Sequence, residues 1–375
     1  MKLFKKILPL ALAATFVFWA FNAMILTAAE VSEVPTLTVE EAARRAINNN
    51  TAIANAQDDE SVADEVVRRA QENVWDAITN AELTAAMVGL MNAELSRSLN
   101  IRDINAQKEN VEFQITRYFN TILNMEADLA ISLDNLDMAR RDLLISRLKL
   151  SLGMVSELDY EASELAVVRI ETNIERLQSS IDSAYRDLNS FMGATGTDLN
   201  GRYILVLELD YEPLAPVNLS RHADTFVNES LAVRRAEDAA TLAIYRVDYF
   251  FRPHSPFTGQ IPTGYITYDE FVVQQNQALR ALTDTRQRVR EGVISSYNNL
   301  RDIELNIRAS EIELARLIRQ LEVSETMLEL GRTTPIEVDR LRVEIATMEN
   351  TLIQSKNNHS ILSIAFNNPL IIMGQ

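Results

Sequence analysis

Whatever chemistry this sequence performs falls to its carboxylates. Cysteine is absent, and only three histidines occur, His222, His254 and His359, far apart along 375 residues. That excludes thiolate nucleophiles, disulfide frameworks and cysteine-held zinc, and leaves too few imidazoles for a histidine metal centre. No G-x-S-x-G elbow, H-E-x-x-H helix or phosphate-cradling glycine loop is present. The chain therefore reads as a non-enzyme, and no cofactor is expected. Two acids have a distinctive setting. Asp159 and Glu337 each stand three residues after a hydroxyl, Ser156 or Thr334, and each hydroxyl follows a glycine, Gly153 or Gly331, by three residues. At that spacing a carboxylate bonds the backbone at a helix start as half of a capping box, and it sits in the positive end of the helix dipole. Several copies gathered around one axis would raise one another's pKa by like-charge repulsion. The remaining acids alternate with arginine on helix faces, as expected for exposed i,i+4 pairs.

The elements that must position these two acids are long helices. The turn at Leu152–Asp159 (LGMVSELD) recurs at Leu330–Glu337 (LGRTTPIE). The glycine suits the left-handed residue after a helix C-terminus, and Pro335 suits the first turn of the next helix. Thr334 and Glu337 make the fuller capping box; Ser156 and Asp159 make a shorter version. Apolar residues spaced three and four apart flank both turns. One stripe runs from Val111 through Ile115, Ile122 and Leu129 to Leu143, and a second from Ile170 through Ile174 and Ile181 to Phe191. A third runs from Leu300 through Ile307 to Leu328, and a fourth from Val338 through Ile345 to Phe366. Such narrow seams belong to coiled-coil helices. Off-seam Leu133, Leu144, Val167, Leu305 and Ile312 add a second stripe, so each helix needs more than one neighbour. Either a closed helical bundle or a sheet of helices that closes through oligomerisation satisfies that need. His359, on the fourth seam, reads as a hydrogen-bonded buried residue. Trp75, in a helical stretch from Ser61 to Ser98, reads as a buried anchor.

The whole chain is duplicated. Ile47–Ala56 aligns with Val227–Ala236 at an offset of 180, and Leu188 aligns with Phe366 at 178, the offset of the two turns. The organisation expected is an export signal at 1–29, a first helical-hairpin repeat at 30–193, a linker at 194–218 and a second repeat at 219–375. Lys2, Lys5 and Lys6 precede an apolar run from Ile7 to Ala29, closed by Thr27-Ala28-Ala29 as a cleavage site. Left uncleaved, the run is long enough to anchor the chain. The linker holds Gly193, Gly196, Gly201, Pro213 and Pro216 and a β-prone run, Tyr203–Leu207. Only ten glycines and nine prolines in the chain argue against a turn-rich β fold. A net charge of −17 argues against nucleic acid as a partner. The class expected is all-α: long antiparallel coiled-coil hairpins in two tandem repeats.

The duplicated glycine-hydroxyl-acid turn, the order of elements, the opening Leu37–Asn50 (LTVEEAARRAINNN) and the closing Ser183–Gly193 (SAYRDLNSFMG) resemble the TolC-like outer-membrane efflux duct family over most of the chain after the signal. The resemblance implies an exported protein of the outer membrane, periplasm or cell envelope. It implies a homotrimer whose hairpins close into a helical tunnel, working with a periplasmic adaptor and an inner-membrane pump to export solutes. Gly153, Ser156, Leu158 and Asp159 would form one hairpin tip, and Gly331, Thr334, Ile336 and Glu337 the other. Adaptors dock at these tips in the family, and acids constrict the pore there. Glu337 matches the first acid of that constriction. Three residues on, this chain has Arg340, and Asp339 stands one place early. The family also carries two membrane strands per repeat. Here Ala70–Val111 reads as helix with at most a short break near Ser98–Asn100, and the aromatic stretch Tyr249–Phe271 is too short for two full strands; its part 249–268 is a candidate membrane or partner contact, or else an ordinary self-packed connection. The β-barrel is therefore expected to be shortened or missing. The competing expectation is a non-conducting coiled-coil scaffold of the envelope.

Overall fold

The computed structural model describes residues 34–250 and 268–371. The expected signal segment 1–29 and residues 251–267 of the aromatic stretch lie outside the described residues.

Each repeat opens with an 11-residue helix, α1 (Val39–Asn49) or α5 (Leu219–Glu229). A second helix follows, α2 (Thr51–Asp76) or α6 (Leu231–Phe250). A very long third helix runs back along it, α3 (Asn80–Ser151) or α7 (Tyr268–Glu329). After the glycine turn comes the fourth, α4 (Glu157–Phe191) or α8 (Pro335–Asn367). At a rise of about 1.5 Å per residue, α3 is about 108 Å long. The β-prone run of the linker forms β2 (Ile204–Val206), which pairs in parallel with a strand not expected from sequence, β1 (Thr36–Thr38). Strands this short give little stability alone. Leu37 and Leu205 hold the pair by burying into the first core.

The two cores correspond residue by residue. Ala43, Ala46, Ile115, Ile122 and Leu188 are buried in the first, and Ala223, Phe226, Val293, Leu300 and Phe366 in the second. The offsets are 180 for the first two pairs and 178 for the rest. Seam residues Val167, Ile174, Ile345 and Leu352 are buried as well.

The helices form a layer, not a bundle. Toward the glycine turns, α4 packs on α3, α3 on α8 and α8 on α7. Toward the other end the neighbours are α2 on α3, α3 on α6 and α6 on α7. Among the described residues α4 and α7 form no packed pair, so the layer has free edges.

Three expectations are corrected. The break in the first repeat falls at Ala77–Thr79, not at Ser98–Asn100, because Thr79 and Glu82 form a complete capping box that starts α3 there. Trp75 is not an anchor: it lies on the last turn of α2 and is 86% exposed. His359 is fully buried but makes no formed hydrogen bond; its Nε2 lies 3.4 Å from Glu304 Oε1, an electrostatic contact. His359 takes the place that Ile181, a core isoleucine, holds in the first repeat. Glu304 is buried too. It accepts from the Leu214 backbone N–H at 2.6 Å and from Arg301 at 2.5 Å. The Tyr211 ring meets the imidazole edge-on, with Lys356 over its face.

Burial holds the His359 pKa below its usual value, opposed in part by the Glu304 carboxylate. A histidine lowered in this way gives stability that is complete above about pH 6.5 and is lost as pH falls toward the folded value. Thermal unfolding at pH 7.5 and 5.5 therefore shows a fall in midpoint on acidification, and His359→Ile, copying the first repeat, makes that fall shallower. An equal fall in the variant would remove His359 as its source.

Candidate functional site: the paired hairpin tips

Both helical turns stop in the same way. Gly153 and Gly331 adopt positive φ, 71° and 65°. The next residue, Met154 or Arg332, donates its N–H at 2.8 Å to the carbonyl five residues back, on Lys149 or Met327. The glycine N–H reaches three residues back, to Leu150 or Leu328, at 2.9 Å. These bonds satisfy carbonyls that the helix end leaves free. A side chain on either glycine would strain the left-handed backbone.

The helix starts differ, and in the opposite sense to the sequence expectation. Ser156 and Asp159 form the complete box: Asp159 N–H to Ser156 Oγ at 3.2 Å, and Ser156 N–H to Asp159 Oδ2 at 3.2 Å. The Ser156 hydroxyl also donates to that carboxylate at 2.7 Å. These bonds from Ser156 hold the Asp159 pKa below the ordinary aspartate value. Thr334 makes no side-chain cap. Glu337 gives its N–H to the Thr334 carbonyl at 3.1 Å, and its carboxylate accepts from Arg340 one turn on. At the first turn the aspartate folds back onto its cap; at the second the glutamate is taken by the Arg340 guanidinium.

Arg340 and Asp339 join the hairpins. Arg340 bonds Asp142 on α3 at 3.1 Å, and Arg141, beside it, bonds Asp339 at 3.1 Å. Farther along, Asp128 accepts from Asn350 and Gln354. These crossings fix the register of α8 on α3. From their level α3 runs on for about ten residues and α8 for about five, so the first turn projects about 8 Å beyond the second. The projecting turn is apolar and bare: Leu152, Met154 and Leu158 are each about two-thirds exposed or more. Ile336 is half-buried. The sequence-named tip residues thus occupy two neighbouring turns at one end of the layer. Asp159 and Glu337 do not pair with each other. Among the described residues no three acidic or histidine side chains group as a metal site, and no helix is long and apolar enough to cross a membrane.

A second feature of this layer was missed in the sequence. Glu126 is the first-repeat counterpart of Glu304; Glu304 bonds the linker backbone directly, and Glu126 bonds the tyrosine that does so. Glu126 Oε1 lies 2.9 Å from the Tyr185 hydroxyl, which also reaches the Tyr203 carbonyl at 3.1 Å. Burial raises the Glu126 pKa, and burial followed by that carboxylate raises Tyr185 strongly. Arg202 stacks over the Tyr185 ring. An acid repeated beside a seam, at the period of the turns, was the available signal.

Compared by sequence, the chain matches no family and no curated protein. Compared by structure, it is similar to several solved outer-membrane proteins. CusC, solved in a study of folding and transmembrane channel formation, has a TM-score of 0.59 at 13% identity over 93% of this chain and 95% of its own. The outer membrane protein VceC of Vibrio cholerae scores 0.62 at 10% identity, over 88% and 94%. The Campylobacter jejuni outer membrane channel CmeC scores 0.57 at 11%, over 90% and 87%. At these identities the likeness is one of fold. It is the all-α, TolC-like fold of two tandem hairpin repeats that the turn motifs imply.

The two caps predict a contrast. Ser156→Ala removes a formed N-cap, worth about 1 kcal/mol. Hydrogen exchange at residues 157–160 is expected to rise several-fold, whereas Thr334→Ala leaves exchange at 336–338 nearly unchanged. Equal responses at the two turns would contradict the different capping described.

Proposed function

We propose that this chain is one protomer of an exported, outer-membrane or envelope efflux duct. In this reading three copies close their hairpins into a tunnel that works with a periplasmic adaptor and an inner-membrane pump. The observation that carries the reading is the open helical layer. Its free edge on α7 exposes Leu305 and Ile312, the latter 73% exposed, and the edge on α4 exposes Leu165 and Val168. Two unlike edges on one chain pair head to tail, and such contacts close into a ring when the rotation permits. The fold shared with solved outer-membrane channels supports the same assembly.

Within the duct the paired turns form the inner end. Gly153, Ser156, Leu158 and Asp159 supply the projecting turn, whose bare Leu158 suits an apolar adaptor contact. Gly331, Thr334, Ile336 and Glu337 supply the recessed one. Three copies of Glu337 with Arg340 beside each give a mixed-charge ring, weaker as a cation filter than a ring of acids alone. The expected boundaries, 30–193 and 219–375 with 194–218 between, are the units this assembly would repeat around its axis.

One observation favours the second reading, a non-conducting scaffold of the envelope. The short link Ala77–Thr79 joins α2 to α3 directly, so the first repeat inserts no strand pair at that junction. Absolute mass in mild detergent separates the readings. A trimer is expected, and Ile312→Glu on the α7 edge is expected to lower the mass to that of one chain while the helical signal stays unchanged. A wild-type chain that remains monomeric at high concentration leaves the scaffold.

A further inference from the structure

The α2–α3 turn is the part of the layer least explained by a helical duct. It lies at the opposite end of α3 from the glycine turns, about 108 Å away. Trp75 and Ile78 sit on it, 86% and 94% exposed. Two large apolar side chains so bare, close together on a tight turn, mark a contact surface. Trp75 is also the one tryptophan outside the signal segment, since the other is Trp19. The neighbouring helix end is aromatic as well. Tyr245 and Tyr249 lie with ring centroids 4.1 Å apart, tilted by 34°, on the last turns of α6, and Tyr268 opens α7. Tryptophan and tyrosine are the residues that settle at the boundary between lipid and water.

The backbone of the turn is prepared for that boundary. In lipid an unbonded N–H is costly. Here the Ile78 and Thr79 N–H groups both donate to Glu82 Oε2, at 3.1 and 3.0 Å, and the Glu82 N–H donates to Thr79 Oγ1. The turn can leave bulk water without orphaning these donors. Its charge selects the kind of surface. Asp76 is exposed beside Trp75, and Glu72 lies one turn below. Arg68 is engaged by Glu65 and Glu72. An acidic tip gains nothing from anionic headgroups.

We propose that the Trp75–Ile78 turn docks on a membrane surface by apolar insertion among zwitterionic lipids. This does not rest on the duct reading, because the turn is exposed in the single chain. A scaffold would use it equally.

The full chain carrying Trp19→Phe reports the contact through Trp75 alone. With phosphatidylcholine vesicles, Trp75 emission is expected to move to shorter wavelength and to be quenched by lipids brominated near the headgroup, at low and high salt alike. Ile78→Asp, which keeps the fluorophore and the fold, is expected to abolish the shift. Quenching is read at Trp75 itself, so attachment of the chain through its signal segment does not imitate it. Emission unchanged by vesicles overturns the proposal. So does a shift that needs anionic lipid and vanishes in salt. A lipid-free spectrum already at short wavelength and dependent on protein concentration overturns it in favour of a second copy as the occupant.

Discussion

A helix as long as α3 cannot be covered by the neighbours its own chain supplies. That constraint shapes the rest of the molecule. α3 has α2 along one half and α4 along the other, and α6 and α8 share its second flank in the same way. The result is a layer four helices wide at each level. Its inner seams are dry, and its outer flanks keep Leu165, Val168, Leu305 and Ile312 exposed. In a compact bundle the first and last helices would meet and cover those residues. Here they do not, and the second apolar stripe remains available for other copies of the chain.

Duplication solves the same problem twice with different residues. The cores match at offsets of 178 and 180, yet side-chain sizes differ: Phe226 stands where the first repeat has Ala46, and Phe366 where it has Leu188, while Val293 stands for the larger Ile115. A core tolerates such exchanges when the volume around them is kept. The polar positions diverge more. Both repeats place a glutamate, half-buried Glu126 and buried Glu304, at the level where the linker crosses, where backbone leaving a helix needs partners. In one repeat that partner set is Glu126 with Tyr185; in the other it is Glu304, the Leu214 N–H and His359. An imidazole in an isoleucine's place gives the second junction a titratable group that the first lacks.

The tips show how a repeated motif acquires two jobs. The same glycine stop ends α3 and α7, closed by the same pair of backbone hydrogen bonds. The following acids then part. Asp159 is spent on its own cap, whereas Glu337 joins a chain of charges through Arg340 to Asp142 on α3. Ion pairs this exposed contribute little to stability each. Their use is register: together with Asp128 they set α8 on α3 and make one turn project past the other.

The class, the long helices and both glycine turns were legible in the sequence because each is local, and the duplication because it repeats those local signals. Three-and-four spacing, a glycine before a hydroxyl and an acid, and Pro335 at a helix start act within a few residues of themselves. Even His359 on a seam was legible as buried. What lay beyond it was whatever depends on which residue arrives from far away. Trp75 looked like an anchor because tryptophans in amphipathic helices usually are; only the early start of α3 at Thr79 turned it into a bare tip. Thr334 looked like the better cap; Arg340 decided otherwise by competing for Glu337. β1 exists only because β2 returns beside it after all four helices of the first repeat. Above all, heptad stripes state that a helix needs neighbours on two sides. Only the tertiary structure shows that the chain supplies one side and leaves the other open, because the stripes fix which faces are apolar and the crossings fix which faces meet.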